Sequence, residues 1–299
     1  MFDLPKNILS CLDELSETYK INKNGTNAYS ELSENYRNQD FKEIDFSQAI
    51  AYALGRMPAT YGVIKYVLKK FESMGESFSN ILDVGAGVGA LKIALQDYEA
   101  DYEALEKSEA MRKIFRKLNG DNSKIYPEDF LKFYSKNNYQ VVFASYFINE
   151  IKDKKSALKK IFDLAEKYVF ILEPGTPNGF KNILEAKKIA AELNWYPLLP
   201  CATEGCGVLC EDWCHFSIRL PRTRHHTKLK NAALPYEDEK FCYVIFSKKE
   251  TDFLGNNTII KRPIKKSGHI IFDVCTNDGI RRIVRTDKAA RKLQWGDQL

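Results

Sequence analysis

No apolar run in this chain of 299 residues comes near the roughly 20 residues that a membrane-spanning helix needs. No membrane partner is therefore expected. The N-terminal stretch MFDLPKNILSCLDELSETYK has no apolar signal-peptide core, and its early acids set it apart from an Arg- and Ser-rich mitochondrial presequence. The expected compartment is the cytoplasm, bacterial in kind, or the mitochondrial matrix if the chain is a processed organellar one. There is no fixed-period repeat, which leaves repeat architectures out, and no low-complexity linker. A disulfide framework is disfavoured twice. The seven cysteines are an odd number, and a reducing compartment keeps thiols unpaired.

What is present is globular in kind, 44% hydrophobic and 28% charged, and long enough for one large domain or two ordinary ones. The net charge of +5 is uneven. Residues 201–299 hold 18 Lys/Arg and 12 Asp/Glu, whereas residues 1–200 hold 27 and 28. A near-neutral body with a basic last third points to a polyanion partner, nucleic acid ahead of a merely solvated lysine surface.

Residues 1–75 read as helical; MPATYGVIKYVLKKF has apolar residues at helical spacing and Pro58 near its start, where a missing N–H does no harm. From about 78 to 195, strand and helix patterns alternate. They run from NILDVGAGVGALKIALQ through YEALEKSEAMRKIFRKL, YQVVFASYF, KKSALKKIFDLAEK and YVFILEP to NGFKNILEAKKIAAEL. Such alternation predicts an α/β fold with a parallel, doubly wound sheet. FCYVIFSK resumes as a strand after a cysteine-bearing stretch, and HIIFDVC with GIRRIVRT predicts a hairpin.

Asp83-Val84-Gly85-Ala86-Gly87-Val88-Gly89 falls between a predicted strand and helix, where a nucleotide-binding turn belongs. The spacing is GxGxG with an acid two residues ahead. That pattern resembles motif I of the class I S-adenosylmethionine-dependent methyltransferases more than a dinucleotide-binding turn. The resemblance makes Asp83, Gly85, Gly87 and Gly89 cofactor-binding candidates. It adds Glu106, 21 residues after Gly85, for the ribose hydroxyls, and Asp129, after the third strand, for the adenine. The strand–helix pattern divides the chain into a helical extension (1–75), a Rossmann-like core (76–195) and a Cys-bearing basic module with the remaining strands (196–299). After the fourth strand the chain reads ASYFINEI, without the Asn/Asp-Pro-Pro-aromatic signature of many amino-methylating enzymes. Asn149 and Glu150 are the catalytic candidates there, or equally a helix start.

Residues 201–216 read CATEGCGVLCEDWCHF, four cysteines separated by gaps of four, three and three residues. No paired knuckle appears, so spacing favours a metal over core thiols without saying which metal, iron–sulfur or zinc. His215, between Trp213 and Phe216, is read as a packed ring before a ligand. Next comes SIRLPRTRHHTKLK, in which Arg219, Arg222, Arg224, Lys228 and Lys230 suit phosphate contacts; the competing reading is a solvated charged face.

Several segments together resemble the methyltransferase-like family of mitochondrial small-ribosomal-subunit assembly proteins (small-subunit protein number twenty-two in yeast nomenclature) and its bacterial relatives. They are RMPATYGVIKYVL, LDVGAGVGA, ASYFINEI, EPGTPNGF, DWCHFSIRLPRTRHH, LPYEDEKFCYVIFSK, DVCTNDG and QWGD, spread over about residues 50–297. EPGTPNGF and DWCHF…LPR are the specific ones. The resemblance implies a class I methyltransferase fold that binds the immature small subunit, its 16S- or 12S-type rRNA and its ribosomal proteins. It implies a role in assembly and translation, S-adenosylmethionine as cofactor, and either rRNA methylation as the activity or a non-catalytic assembly role on the same fold. The chain is expected to be a monomer away from the ribosome. The resemblance further implies a 4Fe–4S cluster on Cys201, Cys206, Cys214 and Cys275, with Cys210 and Cys242 outside the ligand set. One departure stands: the family's Cys-Pro-His…Cys-Pro reads Cys-Ala-Thr…Cys-Gly here. The competing function is a small-molecule methyltransferase with a structural zinc.

Overall fold

The computed structural model describes residues 2–19, 23–38, 43–201, 206, 213–250, 257–276 and 278–299. The chain forms two compact units, residues 1–136 with 218–239, and residues 137–217 with 240–299. Each unit therefore draws on more than one of the sequence segments 1–75, 76–195 and 196–299.

The first unit begins with helices α1 (Lys6–Thr18), α2 (Lys23–Asn38), α3 (Phe46–Gly55) and α4 (Met57–Glu72), as the helical spacing predicts. Asp45 starts α3 through a reciprocal cap: its side chain accepts from Gln48 N–H, and Gln48 Oε1 accepts from Asp45 N–H. This satisfies two donors that a helix start otherwise leaves unpaired. Strand β1 (Asn80–Val84), helix α5 (Ala90–Ala94), strand β2 (Asp101–Leu105), helix α6 (Glu109–Asn119) and strand β3 (Ile125–Tyr126) follow. The strands lie parallel in the order β3-β2-β1, with Asp83 opposite Ala104 and Leu105 opposite Tyr126. Leu82, Val84 and Ala104 are fully buried, as befits parallel strands covered on both faces.

In the second unit, β4 (Tyr139–Ser145) pairs in parallel with β5 (Ala165–Pro174), joined through α7 (Lys154–Leu164). Phe143 and Phe170 face each other in that register and stack at 5.0 Å between ring centres, a contact worth about 1 kcal/mol beyond its buried area. Helix α8 (Pro177–Glu192) leads to β6 (Tyr196–Leu199). Strand β7 (Phe216–Pro221) and helix α9 (Arg224–Leu229) follow in sequence, most of β7 and all of α9 belonging to the first unit, and the long β8 (Tyr236–Ser247) then runs antiparallel to both β5 and β6. The order here is β4-β5-β8-β6, with β7 also on β8. The parallel, doubly wound α/β class is borne out, with β8 reversed.

The expected hairpin is also present. Strands β9 (Thr258–Ile259), β10 (Ile264–Lys265), β11 (Ile270–Thr276) and β12 (Gly279–Arg285) form a separate antiparallel sheet. Its inner face buries Ile259, Ile270, Phe272 and Val274 against Ala290.

Candidate cofactor turn and cysteine centre

The glycine turn follows β1. Gly85, Gly87 and Gly89 have φ of 70°, 56° and 91°, a region that side chains with a Cβ avoid. A Cβ on Gly87 would have only the Tyr52 ring near it, at 4.0 Å, so this position leaves room for a ligand. Gly89 is different. A Cβ there would strike Asn119 and come within 2.8 Å of the Phe115 ring, so close packing on α6 also demands a glycine.

Asp83 sits beneath this turn with 1% of its surface exposed. Tyr102 OH donates to its Oδ2 at 2.6 Å, while Oδ1 is buried without a hydrogen-bond partner. Burial pushes the Asp83 carboxyl up to about 7; the Tyr102 hydrogen bond works against this, and the nearby Glu106 charge works with it. A buried acceptor with nothing to accept from is costly unless a ligand supplies a donor.

Glu106, just past β2, ties the turn to the next strand. Its Oε2 accepts from Gly87 N–H at 2.9 Å and its Oε1 from Ser108 N–H at 2.8 Å. Desolvation raises its carboxyl, and the two backbone donors pull the other way. Asp129 lies exposed after β3, its carboxylate accepting from Leu131 N–H at 2.9 Å. The first unit thus brings Asp83, Gly85, Gly87 and Glu106 together and leaves Asp129 capping its own loop.

In the second unit, Asn149 and Glu150 lie on a single 3-10 turn, Ile148–Glu150, after β4. Asn178 Nδ2 donates to Asn149 Oδ1 at 2.6 Å, and Asn149 N–H points at Glu173 Oε1, 3.4 Å away. Glu173 is wholly buried and receives Asn182 Nδ2 at 2.7 Å, while Lys154 Nζ donates to Asn182 Oδ1 at 2.8 Å. Burial pushes Glu173 up to about 8, against the Asn182 and Asn149 hydrogen bonds and the Lys154 charge; Glu150 adds to the rise. Sequence reasoning missed this carboxyl and its amide partners. The available signal was a lone acid closing an otherwise apolar strand, YVFILEP.

The family-specific segments meet here. Trp213 Nε1 of DWCHF donates to Gly175 O of EPGTPNGF at 3.1 Å. His215 stacks on Trp213 and meets Trp295 of QWGD edge-on at 5.3 Å. It is a packed ring, as expected.

Cys201, Cys206, Cys214, Cys242 and Cys275 share one neighbourhood. Desolvation first, and then the other four sulfurs, push the Cys214 thiol well above its usual range. Lys187 Nζ stands 3.5 Å from Cys201 Sγ, and Cys242 Sγ donates to Cys214 O at 3.1 Å. No disulfide joins the described cysteines. Among the described residues, no group of three or more His, Cys, Asp or Glu side chains is drawn together closely enough to hold a metal ion. Converging thiols suit a soft metal in chemistry, but a formed coordination group is not present. Cys210 lies outside the described residues.

The expected phosphate-binding residues are mostly occupied within the first unit. Arg219 pairs with Asp238 through two bonds of 2.8 and 3.0 Å. Arg222 and Lys230 converge on Glu237 at 3.4 and 2.8 Å, with buried His226 3.3 Å from the same carboxylate. Burial raises Glu237, but His226 and Lys230 overcome it and hold the carboxyl down at about 2. Arg224 and His225 share Asp13 of α1, at 2.9 and 2.6 Å. Lys228, exposed on α9, has no ion pair among the described residues.

The family described as Mitochondrial small ribosomal subunit Rsm22 matches residues 46–299. Two mitochondrial proteins of Schizosaccharomyces pombe, Rsm22-cox11 tandem proteins 1 and 2, are each 24% identical over 348 aligned positions. The alignment covers 89% of this chain and 45% of theirs, so the chain spans about half the length of these relatives. Among solved structures, the magnesium protoporphyrin IX methyltransferase of Synechocystis PCC 6803 with bound SAM is 12% identical, with a TM-score of 0.43, over 77% of this chain and 93% of that one. The plantazolicin methyltransferase BpumL with SAH is 11% identical, with a TM-score of 0.43, over 80% and 99%.

Proposed function

Because the chain belongs to the Rsm22 family of the mitochondrial small ribosomal subunit, we propose that it binds the immature small subunit, its rRNA and its ribosomal proteins, and supports assembly and translation. It does so as an S-adenosylmethionine-dependent protein of the class I methyltransferase fold, with small-subunit rRNA as methyl acceptor. Its compartment is the one its ribosome occupies, the mitochondrial matrix or a bacterial cytoplasm, and it is a monomer away from the particle. Among the described residues, no helix is long and apolar enough to cross a membrane.

The observation that carries the cofactor reading is the unpartnered Asp83 Oδ1 beneath a glycine turn. The residues present fit S-adenosylmethionine. Asp83 would receive the ligand's ammonium group, Gly85 and Gly87 would admit its body, and Glu106 would accept from its ribose. When bound, that cofactor supplies the electrophilic methyl group. Asn149 and Glu150 are assigned to the acceptor side, their turn held by Glu173.

An ammonium prefers a carboxylate to a carboxylic acid. Affinity should therefore fall about tenfold per pH unit below the Asp83 pKa of about 7 and hold above it until the ligand's own ammonium loses its proton. Titration calorimetry tests this. Asp83→Asn should weaken S-adenosylmethionine binding by about 100-fold at pH 8 and abolish the pH dependence. Unchanged affinity in Asp83→Asn overturns the cofactor reading.

The cysteine centre is read as a 4Fe–4S cluster on Cys201, Cys206, Cys214 and Cys275, supported by the thiols that converge on Cys214. Iron and sulfide analysis of anaerobically purified protein checks it. Cys275→Ser should lose the iron and Cys210→Ser should keep it. The reverse result means a different ligand set, and zinc in place of iron favours a small-molecule methyltransferase with a structural zinc.

A further inference from the structure

The basic last third of the chain is not uniformly basic. Residues 201–256 hold eight Lys/Arg and eight Asp/Glu, whereas residues 257–299 hold ten and four. The whole excess of the last third therefore lies in 43 residues, those of the β9–β12 sheet and the segment after it. All ten of these basic side chains are exposed. Three of the four acids are already bound to β12: Asp273 to Arg282, Asp278 to Arg281 and Asp287 to Arg285, at 2.6–2.8 Å.

The remaining positive charge is gathered by the fold. Lys265 and Arg285 both oppose Ile270 and so share one row across three strands. Lys265 Nζ donates to Arg291 O at 2.8 Å, and Arg291 reaches back to Ser267 O at 2.9 Å. These bonds bring the turn holding Lys266 beside the segment holding Lys288 and Lys292. The other face carries an apolar row at one end, next to the Asp273–Arg282 pair. Ile264, Ile271 and Val284 are in direct register across β10, β11 and β12. Ile264 is 45% exposed and Val284 56%, with Ile280 at 43% further along β12. Apolar side chains in one row, exposed beside a basic end, are unlike a merely solvated surface.

We propose that this C-terminal sheet is an RNA-docking surface: the sugars and base faces of a single-stranded or loop segment lie along the Ile264–Ile271–Val284 row, and the segment rounds the edge strand β10 to place its phosphates on Lys265, Lys266, Lys288, Arg291 and Lys292. Charge complementarity selects a polyanion, and the apolar row selects unpaired nucleotides over a duplex, whose exterior offers mainly phosphate and sugar. The site is separate from the Arg219–Lys230 stretch, where four of the five basic side chains are tied to acids of their own unit. The inference rests on the RNA-facing function proposed above and locates its surface.

The test is fluorescence anisotropy with the full-length protein and a mixed-sequence 20-nucleotide single-stranded RNA over a range of salt. Lys266→Glu/Lys288→Glu/Lys292→Glu should weaken binding at least 10-fold near 0.1 M salt and reduce the salt slope by about 2, since each phosphate contact on a single strand contributes about 0.7. Arg219→Ala/Lys228→Ala should change affinity less than threefold. The triple variant alters exposed side chains only, and its melting curve confirms the fold. Val284→Asn should weaken RNA binding while leaving the salt slope unchanged. Wild-type affinity in the triple variant overturns the proposal. So does a stronger response to polyglutamate, or to vesicles containing 20% phosphatidylserine, than to RNA. Sedimentation with small-subunit particles separates the two readings. If wild type binds RNA but not particles, the assembly function fails and the surface stands. If triple variant and wild type bind both alike, the surface alone fails.

Discussion

Raising the pH from 4 to 8 should destabilise the protein, and Asp83→Asn and Glu173→Gln should each remove part of that loss. Both carboxyls are buried, and burial lifts them to about 7 and about 8. Their unfolded values lie near 4. Below pH 4 both states hold the proton, and neither group affects stability. Between the unfolded and folded values the unfolded chain ionises and the folded one does not, so stability falls as pH rises through that window. The slope is about 1.4 kcal/mol per pH unit for each group, and the fall levels off above pH 7 for Asp83 and above pH 8 for Glu173. Each amide variant should thus match wild type near pH 4 and exceed it at pH 8, by about 4 kcal/mol for Asp83→Asn and about 5 kcal/mol for Glu173→Gln. Glu237 supplies the opposite limb. Its carboxyl is held at about 2 by its cationic neighbours against the cost of burial, so it stabilises above pH 4 and that contribution is lost as pH falls through 2. Urea titrations at half-unit intervals should give a maximum near pH 4–5 for wild type, and a flatter alkaline side for Asp83→Asn/Glu173→Gln. A wild-type profile that is flat from pH 5 to 8 contradicts both burials.

The cost at neutral pH has a functional side. A carboxyl kept neutral by burial is a poor permanent feature unless something else gains from it. For Asp83 the gain under the proposed function is an acceptor for the cofactor's ammonium group. For Glu173 it is position, because the carboxyl holds the backbone of Asn149 on one side and Asn182 on the other. The two sites differ in what they lack. Asp83 has an empty oxygen, whereas Glu173 has a partner on each oxygen.

The strand–helix alternation was legible because each parallel strand is buried on both faces and so spells a short apolar word, such as NILDV or YVFIL. The glycine turn was legible for the same local reason: a positive φ needs glycine, and the sequence shows it. Charge pairing was not legible. Arg224 looked available for phosphate, but its acid is Asp13, 211 residues earlier in the chain. Arg222 and Lys230 looked like neighbours on a basic stretch, but the next strand returns Glu237 between them. Local composition counted these arginines as excess charge, and folding cancelled them. The +6 of residues 257–299 survives folding because that segment has only four acids to set against ten bases. The thiol neighbourhood was half legible. Cys201, Cys206 and Cys214 lie close in sequence, whereas the return of Cys242 and Cys275 depends on β8 and β11.

Gly179→Ala should be the most damaging single methyl addition in the second unit. The chain leaves β5 at Pro174 and enters α8 at Pro177, capped by Thr176, whose Oγ1 accepts from Gly179 N–H at 3.1 Å. That tight reversal lays the first helical turn directly on the end of the strand. A Cβ on Gly179 would collide with the Pro174 carbonyl oxygen and come within 3.0 Å of its carbon. Those are backbone atoms, which have no alternative rotamer, so relief requires the strand end to move away from the helix. Glu173 is the preceding residue, and its hydrogen bonds to Asn182 and Asn149 move with it. Overpacking of this kind costs about 3 kcal/mol, against about 1 kcal/mol for removing the cap in Thr176→Ala. Gly175→Ala should behave similarly, since its Cβ would lie 2.6 Å from the Lys240 backbone on β8. Gly268→Ala makes the contrast: a Cβ there meets nothing within 4 Å, and the change should be neutral or slightly stabilising. Urea unfolding of the three alanine variants separates the cases. If Gly179→Ala and Gly268→Ala unfold at the same urea concentration, the β5–α8 reversal is looser than described, and Asn149 then loses the fixed anchor that Glu173 provides.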